Sequence, residues 1–392
     1  LPIIFIRRSS EQRRGRIRGR FWIRCRLAAV ALVGLVLIGC IYGRIVYFNA
    51  PNLTAPSNFE GRPIKASTTP LMLQKREREA AFGATASKDA TYPSLDDLLE
   101  ASETRAFLVL HDDAIVYERY FGNVSEITLL PSFSISKTYA AVLIGCALKG
   151  GLISSLDDPL VMYVPDLAEK IGYERVTLEQ LLRMTSGIDF DEESTAGAAL
   201  YYCTDLRDRA RSYDVKWPPG QHYLYGSVNI QLLWEALRGR LAGDTVSHYF
   251  EQEVWGPLGA GQSATWSLDS HSSGVEKFFG GFNATARDHA LLGLLYLHGG
   301  TLNGRVILTK QWVDRSLSPD PVAGQVQIAD GTMRRGRYQW FLTLDGRAYF
   351  AKGYHGQYIF VVPQKNAVFV RFGEGYGDVD WTSLFLRLAE QL

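Results

Sequence analysis

The sequence predicts an α+β fold: one antiparallel sheet assembled from the two ends of a large domain, flanked by helices, with a mostly helical region inserted between them. Two observations lead there. Strand signals occur as a pair near the start of the domain, at 106–111 and 114–121, and as a series near its end, at 338–344, 348–352, 357–362 and 367–372. Between them, from about 135 to 320, the chain reads as helix and loop, and it opens on a stretch, Ser134 to Leu148, that is almost wholly apolar or small.

Two segments of different character precede this domain. Residues 1–48 read as an arginine-rich tail and a membrane anchor. The first fifty residues hold ten arginines, one glutamate and neither lysine nor aspartate, and they include the apolar run Leu27 to Tyr42, flanked by Arg26 and Arg44. Sixteen residues are short for a bilayer span, but the flanking arginines snorkel and Val46, Tyr47 and Phe48 extend the run. The arginine excess on its N-terminal side predicts an uncleaved anchor in a bacterial inner membrane, with the domain on the periplasmic side. Leu37-Ile38-Gly39-Cys40 offers the alternative, a lipoprotein attached through Cys40. Residues 49–93 carry Pro51, Pro56, Pro63, Pro70 and Pro93 and read as a linker that spaces the domain from the membrane and packs partly on it.

Charge and cysteine content exclude two classes. Of 42 basic and 41 acidic residues, 32 and 40 lie beyond position 50, so the body has no positive surplus to meet phosphates, and nucleic acid is not expected as a partner. Cys25, Cys40, Cys146 and Cys203 show no metal-ligand spacing and are too few for a disulfide framework, so no zinc site is expected.

The domain at 94–392 begins with helical capping at Ser94 to Asp97 and continues with the two strand signals around Asp112-Asp113, a hairpin turn. Pro131 and Ser132, the latter a candidate N-cap, then introduce the apolar helix, and Gly150-Gly151 stop it. Ser134 and Lys137 interrupt its apolar character at the start. Three residues apart on a helix they share a face, so the amine reaches the hydroxyl. Serine is a poor nucleophile at its own pKa and lysine a poor base while protonated; burial and the positive end of a helix both favour a neutral amine. The same helix end offers backbone N–H groups to an oxyanion.

Further along, Val176 to Leu182 reads as a short helix opened by Thr177, and Pro218-Pro219-Gly220 leads to Tyr225-Gly226-Ser227 ahead of a leucine-rich helix. Near the end, Ala351-Lys352-Gly353-Tyr354-His355-Gly356 joins two strands, with glycines spaced for close approach of a backbone or ligand. Asp380 to Leu392 closes the chain as an amphipathic helix.

Together, Ser134-x-x-Lys137, Tyr225-x-Ser227 and Ala351-Lys352-Gly353 resemble the motifs of the penicillin-recognising serine hydrolases, a group of β-lactamases, D-alanyl-D-alanine peptidases, carboxylesterases and aminohexanoate-oligomer hydrolases. Leu156-Asp157-Asp158-Pro159, Thr185-Ser186-Gly187, Pro219-Gly220 and Gly280 to Asp288 extend the likeness over roughly 90–392. The resemblance implies a β-lactamase-like fold. It makes Ser134 the acylated nucleophile, Lys137 its partner and Tyr225 the proton shuttle, with the N–H groups of Ser134 and Tyr354 as the oxyanion hole. Ser227, Lys352, Gly353 and His355 would meet the substrate. Ser227 stands where the family usually has asparagine, and Ala351 where β-lactamases and peptidases carry a lysine or histidine for a substrate carboxylate. Both departures point to the carboxylesterase and amide-oligomer hydrolase branch, acting on a small ester, amide or short peptide-like substrate, and His355 resembles that branch too. Neither a metal nor an organic cofactor is implied. The alternatives are a D,D-peptidase or β-lactamase, and a membrane-anchored acyl-enzyme sensor with little turnover.

Overall fold

A computed structural model describes residues 53, 58–76, 82, 92–328 and 331–392. The arginine-rich tail, the apolar run expected to anchor the chain, and Cys40 lie outside the described residues. Among those described, no helix is long and apolar enough to cross a membrane.

Where it is described, the linker packs on the domain. Gly61–Ile64 (β1) pairs antiparallel with residues 264–267, and Gln74–Lys75 (β2) runs parallel to the start of the strand at 114–120. Ile64 is fully buried, and the Arg62 guanidinium lies 2.6 Å from the wholly buried carboxylate of Glu276. That carboxylate also accepts from Trp234 Nε1 and from the backbone and hydroxyl of Ser247.

Ser94 caps the helix Leu95–Ala101 (α1), accepting from the Asp97 N–H. Thr104–His111 (β3) and Ala114–Tyr120 (β4) form the expected hairpin, and Asp112 and Asp113 both take left-handed backbone angles, φ 49° and 60°, as a tight two-residue turn requires. After Leu130–Pro131 (β5) comes the apolar helix Ile135–Lys149 (α2). The inserted region contains Leu178–Leu182 (α3), opened by a reciprocal capping box between Thr177 and Gln180, then Thr195–Tyr202 (α4), Leu206–Arg211 (α5) and Ser227–Arg238 (α6). It also contains four strands that the helix-and-loop reading did not include: a two-residue antiparallel pair, Thr301–Leu302 with Arg305–Val306, and Ala264–Ser267 (β6) and Phe282–Ala284 (β7), which with β1 and β5 form a small sheet in the order β1-β6-β7-β5. Runs of three or four buried residues such as these have too few positions to show a period.

Past Ala286–Leu297 (α7) and Lys310–Leu317 (α8) the remaining strands follow: Gln325–Ile328 (β8), Gly331–Arg335 (β9), Phe341–Leu342 (β10), Tyr349–Gly353 (β11), Gln357–Val362 (β12) and Ala367–Gly373 (β13), then the helix Trp381–Ala389 (α9). They join the first hairpin in one sheet ordered β8-β9-β10-β11-β12-β13-β3-β4-β2, antiparallel except where β2 lies beside β4. The fold class is therefore as expected from the sequence. The strand expected over 338–344 shrinks to β10 because Gln339 is left-handed, φ 69°, and Tyr338 and Trp340 turn into the core. In β8 and β9, polar or charged residues outnumber apolar ones, which is why they gave no strand signal.

Alternation along the strands divides the core between the two faces of the sheet. Ala106, Leu108 and Leu110 of β3 pack with α2 and α7, while Phe107 and Val109 pack with α1 and α9, whose Phe385 stacks on Phe107 at 6.1 Å between ring centres. No residue of α2 from Ile135 to Ala147 is exposed. Its Gly145 passes so close to Trp312 that a Cβ there would lie 2.6 Å from the indole.

Candidate active site

The site begins at the turn between β5 and α2. The Ser132 N–H is fixed to the Phe282 carbonyl at 2.9 Å, and the following residue, Phe133, has φ 45°. A left-handed phenylalanine is a strained arrangement, of order 1–3 kcal/mol, held here by the pairing on either side. The first turn of the helix is tight: the N–H groups of Ile135, Ser136 and Lys137 donate to carbonyls three residues back, at 2.9 to 3.0 Å. Ser132 is not the N-cap expected of it. Its hydroxyl pairs with that of Ser136 at 2.8 Å, and Ser134 occupies the N-cap position without a side-chain capping bond, which leaves its Oγ available to other partners.

Two groups converge on that oxygen. Lys137 Nζ donates to Ser134 Oγ at 2.8 Å, and the Tyr225 hydroxyl donates to it at 2.9 Å. Lys137 is 2% exposed; its amine also donates to the Phe279 carbonyl at 3.2 Å and lies 5.0 Å from the centre of the Tyr225 ring. Among the described residues, no carboxylate is paired with it. Gly280 to Asn283 account for the carbonyl's position: Asn283 Nδ2 binds the Gly281 carbonyl, Thr265 and Ser267, pinning the turn that carries Phe279.

Tyr225 is held by a second brace. The Gly220 N–H donates to the Thr185 carbonyl at 2.7 Å and the Leu224 N–H to the Met184 carbonyl at 3.0 Å, so the segment 217–226 is laced to the Thr185-Ser186-Gly187 turn. Gly220 has φ 87°, which explains a glycine there. Ser227, expected to meet the substrate, is 1% exposed, and its N–H and hydroxyl both donate to the Glu192 carboxylate, at 2.6 and 2.5 Å. It therefore secures the start of α6 to the 189–194 loop instead of presenting its hydroxyl to a ligand.

The end of β11 closes the site from the other side. A Cβ on Gly353 would lie 2.4 Å from the Ser132 carbonyl oxygen, so the absence of a side chain lets the strand reach the nucleophile turn. Tyr354, half-exposed, and His355, left-handed at φ 60°, bring their rings to 6.1 and 6.0 Å from that of Phe133. Ala351 is wholly buried on the side of α2. Lys352 corrects the expectation that it meets the substrate: alternation along β11 puts it on the opposite face, with its amine 4.8 Å from the Tyr376 ring and 5.2 Å from the Tyr358 ring.

The structure thus brings Lys137, Tyr225, Gly353, Tyr354 and His355 around the turn that carries Ser134. It adds Glu192, which gave no signal beyond its place in an acidic run, and Arg335, a buried arginine beside Tyr225 that the sequence did not single out. The guanidinium carbon of Arg335 lies 5.6 Å from the Tyr223 ring centre, 6.0 Å from that of Tyr225 and 4.4 Å from that of Phe341. Burial pushes the Tyr223 phenol up to about 12, against the opposing pull of the Arg335 charge.

Comparison with known proteins gives this arrangement a context. Residues 95–390 match the family described as Beta-lactamase. The chain is 27% identical to the 6-aminohexanoate-dimer hydrolase of Paenarthrobacter ureafaciens over 303 residues, 71% of this chain and 74% of that protein. It is 25% identical to a beta-lactamase of Escherichia coli strain K12 over 216 residues, 54% of this chain and 52% of that protein. Among solved structures, a Bacillus anthracis protein provisionally assigned as a 6-aminohexanoate-dimer hydrolase superposes with a TM-score of 0.74 at 20% identity, covering 86% of this chain and 91% of that one. A family VIII carboxylesterase superposes at 0.62 with 18% identity, over 82% of this chain and all of the other.

Proposed function

The chain belongs to the Beta-lactamase family, and from that premise we propose that it cleaves an ester or amide bond through an acyl-enzyme on Ser134, as an esterase or amide-oligomer hydrolase. One observation carries the reading: the Ser134 hydroxyl oxygen accepts hydrogen bonds from the Lys137 amine and from the Tyr225 phenol, at 2.8 and 2.9 Å. Lys137 takes the serine proton as the hydroxyl attacks the carbonyl, and Tyr225 relays a proton to the leaving group. The N–H groups of Ser134 and Tyr354 hold the oxyanion. Contact of Gly353 with the Ser132 carbonyl supports this, because it sets the two segments that carry them side by side. Water then clears the acyl group by the reverse route.

The buried Ala351 favours the esterase and amidase branch over the β-lactamase and D,D-peptidase branch, since no basic side chain stands at that strand position. The test is hydrolysis of short p-nitrophenyl esters and of the 6-aminohexanoate linear dimer, beside nitrocefin, by the full chain and by Ser134→Ala. Ester or amide turnover lost in the variant supports the reading. Fast nitrocefin cleavage assigns a β-lactamase, and stoichiometric labelling of Ser134 by a fluorophosphonate without turnover assigns a sensor.

We further propose that the domain lies outside the cytoplasm, tethered through Leu27 to Tyr42; the ten arginines within the first fifty residues support that orientation. A reporter fused after Leu392 that is active only when exported checks it, and a full-length fusion without reporter activity would reject it.

A further inference from the structure

The turn that presents the Phe279 carbonyl to Lys137 is built on a wholly buried lysine. The Lys277 carbonyl accepts from the N–H groups of Gly280 and Gly281, at 3.1 and 2.8 Å, and from Trp266 Nε1 at 2.9 Å, which folds the chain back with Phe279 inside the turn. The Lys277 ammonium donates to the Tyr201 carbonyl in the last turn of α4. It lies 5.3 Å from the centre of the Tyr201 ring and 4.4 Å from that of Phe59.

Phe59 belongs to the linker, just ahead of β1, and is 8% exposed. Its ring meets Tyr201 edge-on at 5.5 Å and Tyr202 at 6.3 Å, and Tyr201 stands 6.3 Å from the Phe279 ring. Its neighbours are fastened to the same region: the Glu60 carbonyl accepts from the Leu268 N–H at 2.8 Å, and Arg62 pairs with Glu276, the residue before Lys277. A continuous set of contacts therefore runs from the linker to the catalytic amine. Phe59 sits on Lys277 and Tyr201, these hold the 277–281 turn, and the Phe279 carbonyl of that turn accepts from Lys137 Nζ at 3.2 Å. A spacer has no need of such contacts. A cation against an aromatic face is a directional contact that strengthens when water is excluded, and a buried ammonium that loses it draws its segment towards solvent.

We propose that Phe59 is a positioning residue for catalysis: seated on Lys277, it fixes the turn whose Phe279 carbonyl holds the Lys137 amine at Ser134, so turnover depends on the linker remaining docked. The proposal rests on Ser134 and Lys137 being the reacting pair and adds the linker to the parts that align them.

The experiment is a double-mutant cycle on the full chain. Phe59→Leu keeps apolar bulk and removes the ring face, and Lys277→Met keeps the stem and removes the charge. Hydrolysis of p-nitrophenyl acetate is followed, with kcat expressed per Ser134 labelled by a fluorophosphonate, so that misfolded chains do not count. Each single variant is expected to lower that kcat about 10-fold with KM changed less than about twofold, as for a base held slightly out of place. The double variant falls no further than the worse single one, because both break one contact. Phe59→Tyr, which keeps the ring face, retains most of the activity. A native kcat per labelled site in Phe59→Leu, or single losses that multiply in the double variant, overturns the proposal while inactive Ser134→Ala keeps the nucleophile in place. A merely structural Phe59 would lower the urea midpoint and the labelled fraction and leave kcat per site unmoved. Ester turnover that survives in Ser134→Ala, or a native chain that neither turns over nor labels, overturns the nucleophile reading and this proposal with it. Should the chain label without turnover, the rate of labelling replaces kcat, with the same 10-fold losses and the same non-additivity expected.

Discussion

The chemistry of this chain rests on a few side chains with unusually specific partners. Among the described residues the Tyr225 hydroxyl has one polar contact, Ser134 Oγ, so Tyr225→Phe removes a proton relay and little else. The expected result is a fall in kcat of about 10²- to 10⁴-fold on activated esters, with folding intact by circular dichroism. Unchanged turnover would return Tyr225 to a packing role. Glu192 acts at one remove, through Ser227, by fixing the loop that faces the site. Ser134 and Lys137 are legible in the sequence because their spacing on a helix is itself geometry. Glu192 and Arg335 are not: each reaches the site from a segment whose path depends on the rest of the fold.

At the scale of elements, close approach is decided where a glycine or a buried pair joins two segments. Gly353→Ala sets a methyl against the Ser132 carbonyl and pushes the nucleophile turn aside. Misplacement by that much is expected to lower kcat/KM about 100-fold, measurable together with loss of fluorophosphonate labelling. Gly145→Ala crowds Trp312 within the core and is expected to reduce stability by about 1–3 kcal/mol in urea titration, without direct effect on the site. The strand β1 is tied down by Arg62 on Glu276, a carboxylate with no exposed surface. Arg62→Ala leaves that charge without its cation, and the expected loss lies at the lower end of the range for broken buried pairs, about 3 kcal/mol, because Arg62 itself is partly exposed. A shift in urea midpoint too small to resolve would show that β1 is dispensable. Linker composition told of prolines and polarity, but not that residues 59–75 complete two sheets, since strand pairing between distant segments leaves no local signature.

For the molecule as a whole, acid stability is the property set by burial. His289 in α7 is enclosed between Tyr139, 3.0 Å from its Nδ1, and the Leu130 carbonyl, and burial holds its imidazole at about 3 against 6.5. The unfolded chain takes up the proton first, so the stabilisation is complete above pH 6.5 and is lost as pH falls from there towards 3. From pH 6.5 to 5 the loss is about 2 kcal/mol, and His289→Gln is expected to flatten urea midpoints over that interval. An identical slope in the variant would assign the acid sensitivity elsewhere. Glu118 acts in a lower window. Burial alone would raise its carboxyl, but hydrogen bonds from Arg287, Lys75 and Tyr120 outweigh that and hold it at about 2 against 4.5. Its contribution is present above pH 4.5 and fades between there and 2, and Glu118→Gln is expected to remove that fade.

By itself the sequence determined what is written in local patterns: the short apolar runs of β3, β4, β11, β12 and β13, the apolar helix α2, the caps at Ser94 and Thr177, and the pairing of Ser134 with Lys137 at helical spacing. These follow from backbone periodicity and short-range hydrogen bonding, which act over a few residues. Only the tertiary structure decided that Tyr225 reaches Ser134 across 91 positions, that Lys352 faces away from the site while Ala351 faces α2, that Ser227 is spent on Glu192, and that Arg335 is buried without a counterion. Those outcomes depend on which side chains the packed core brings within a few ångströms of one another, and separation along the chain sets no limit on that.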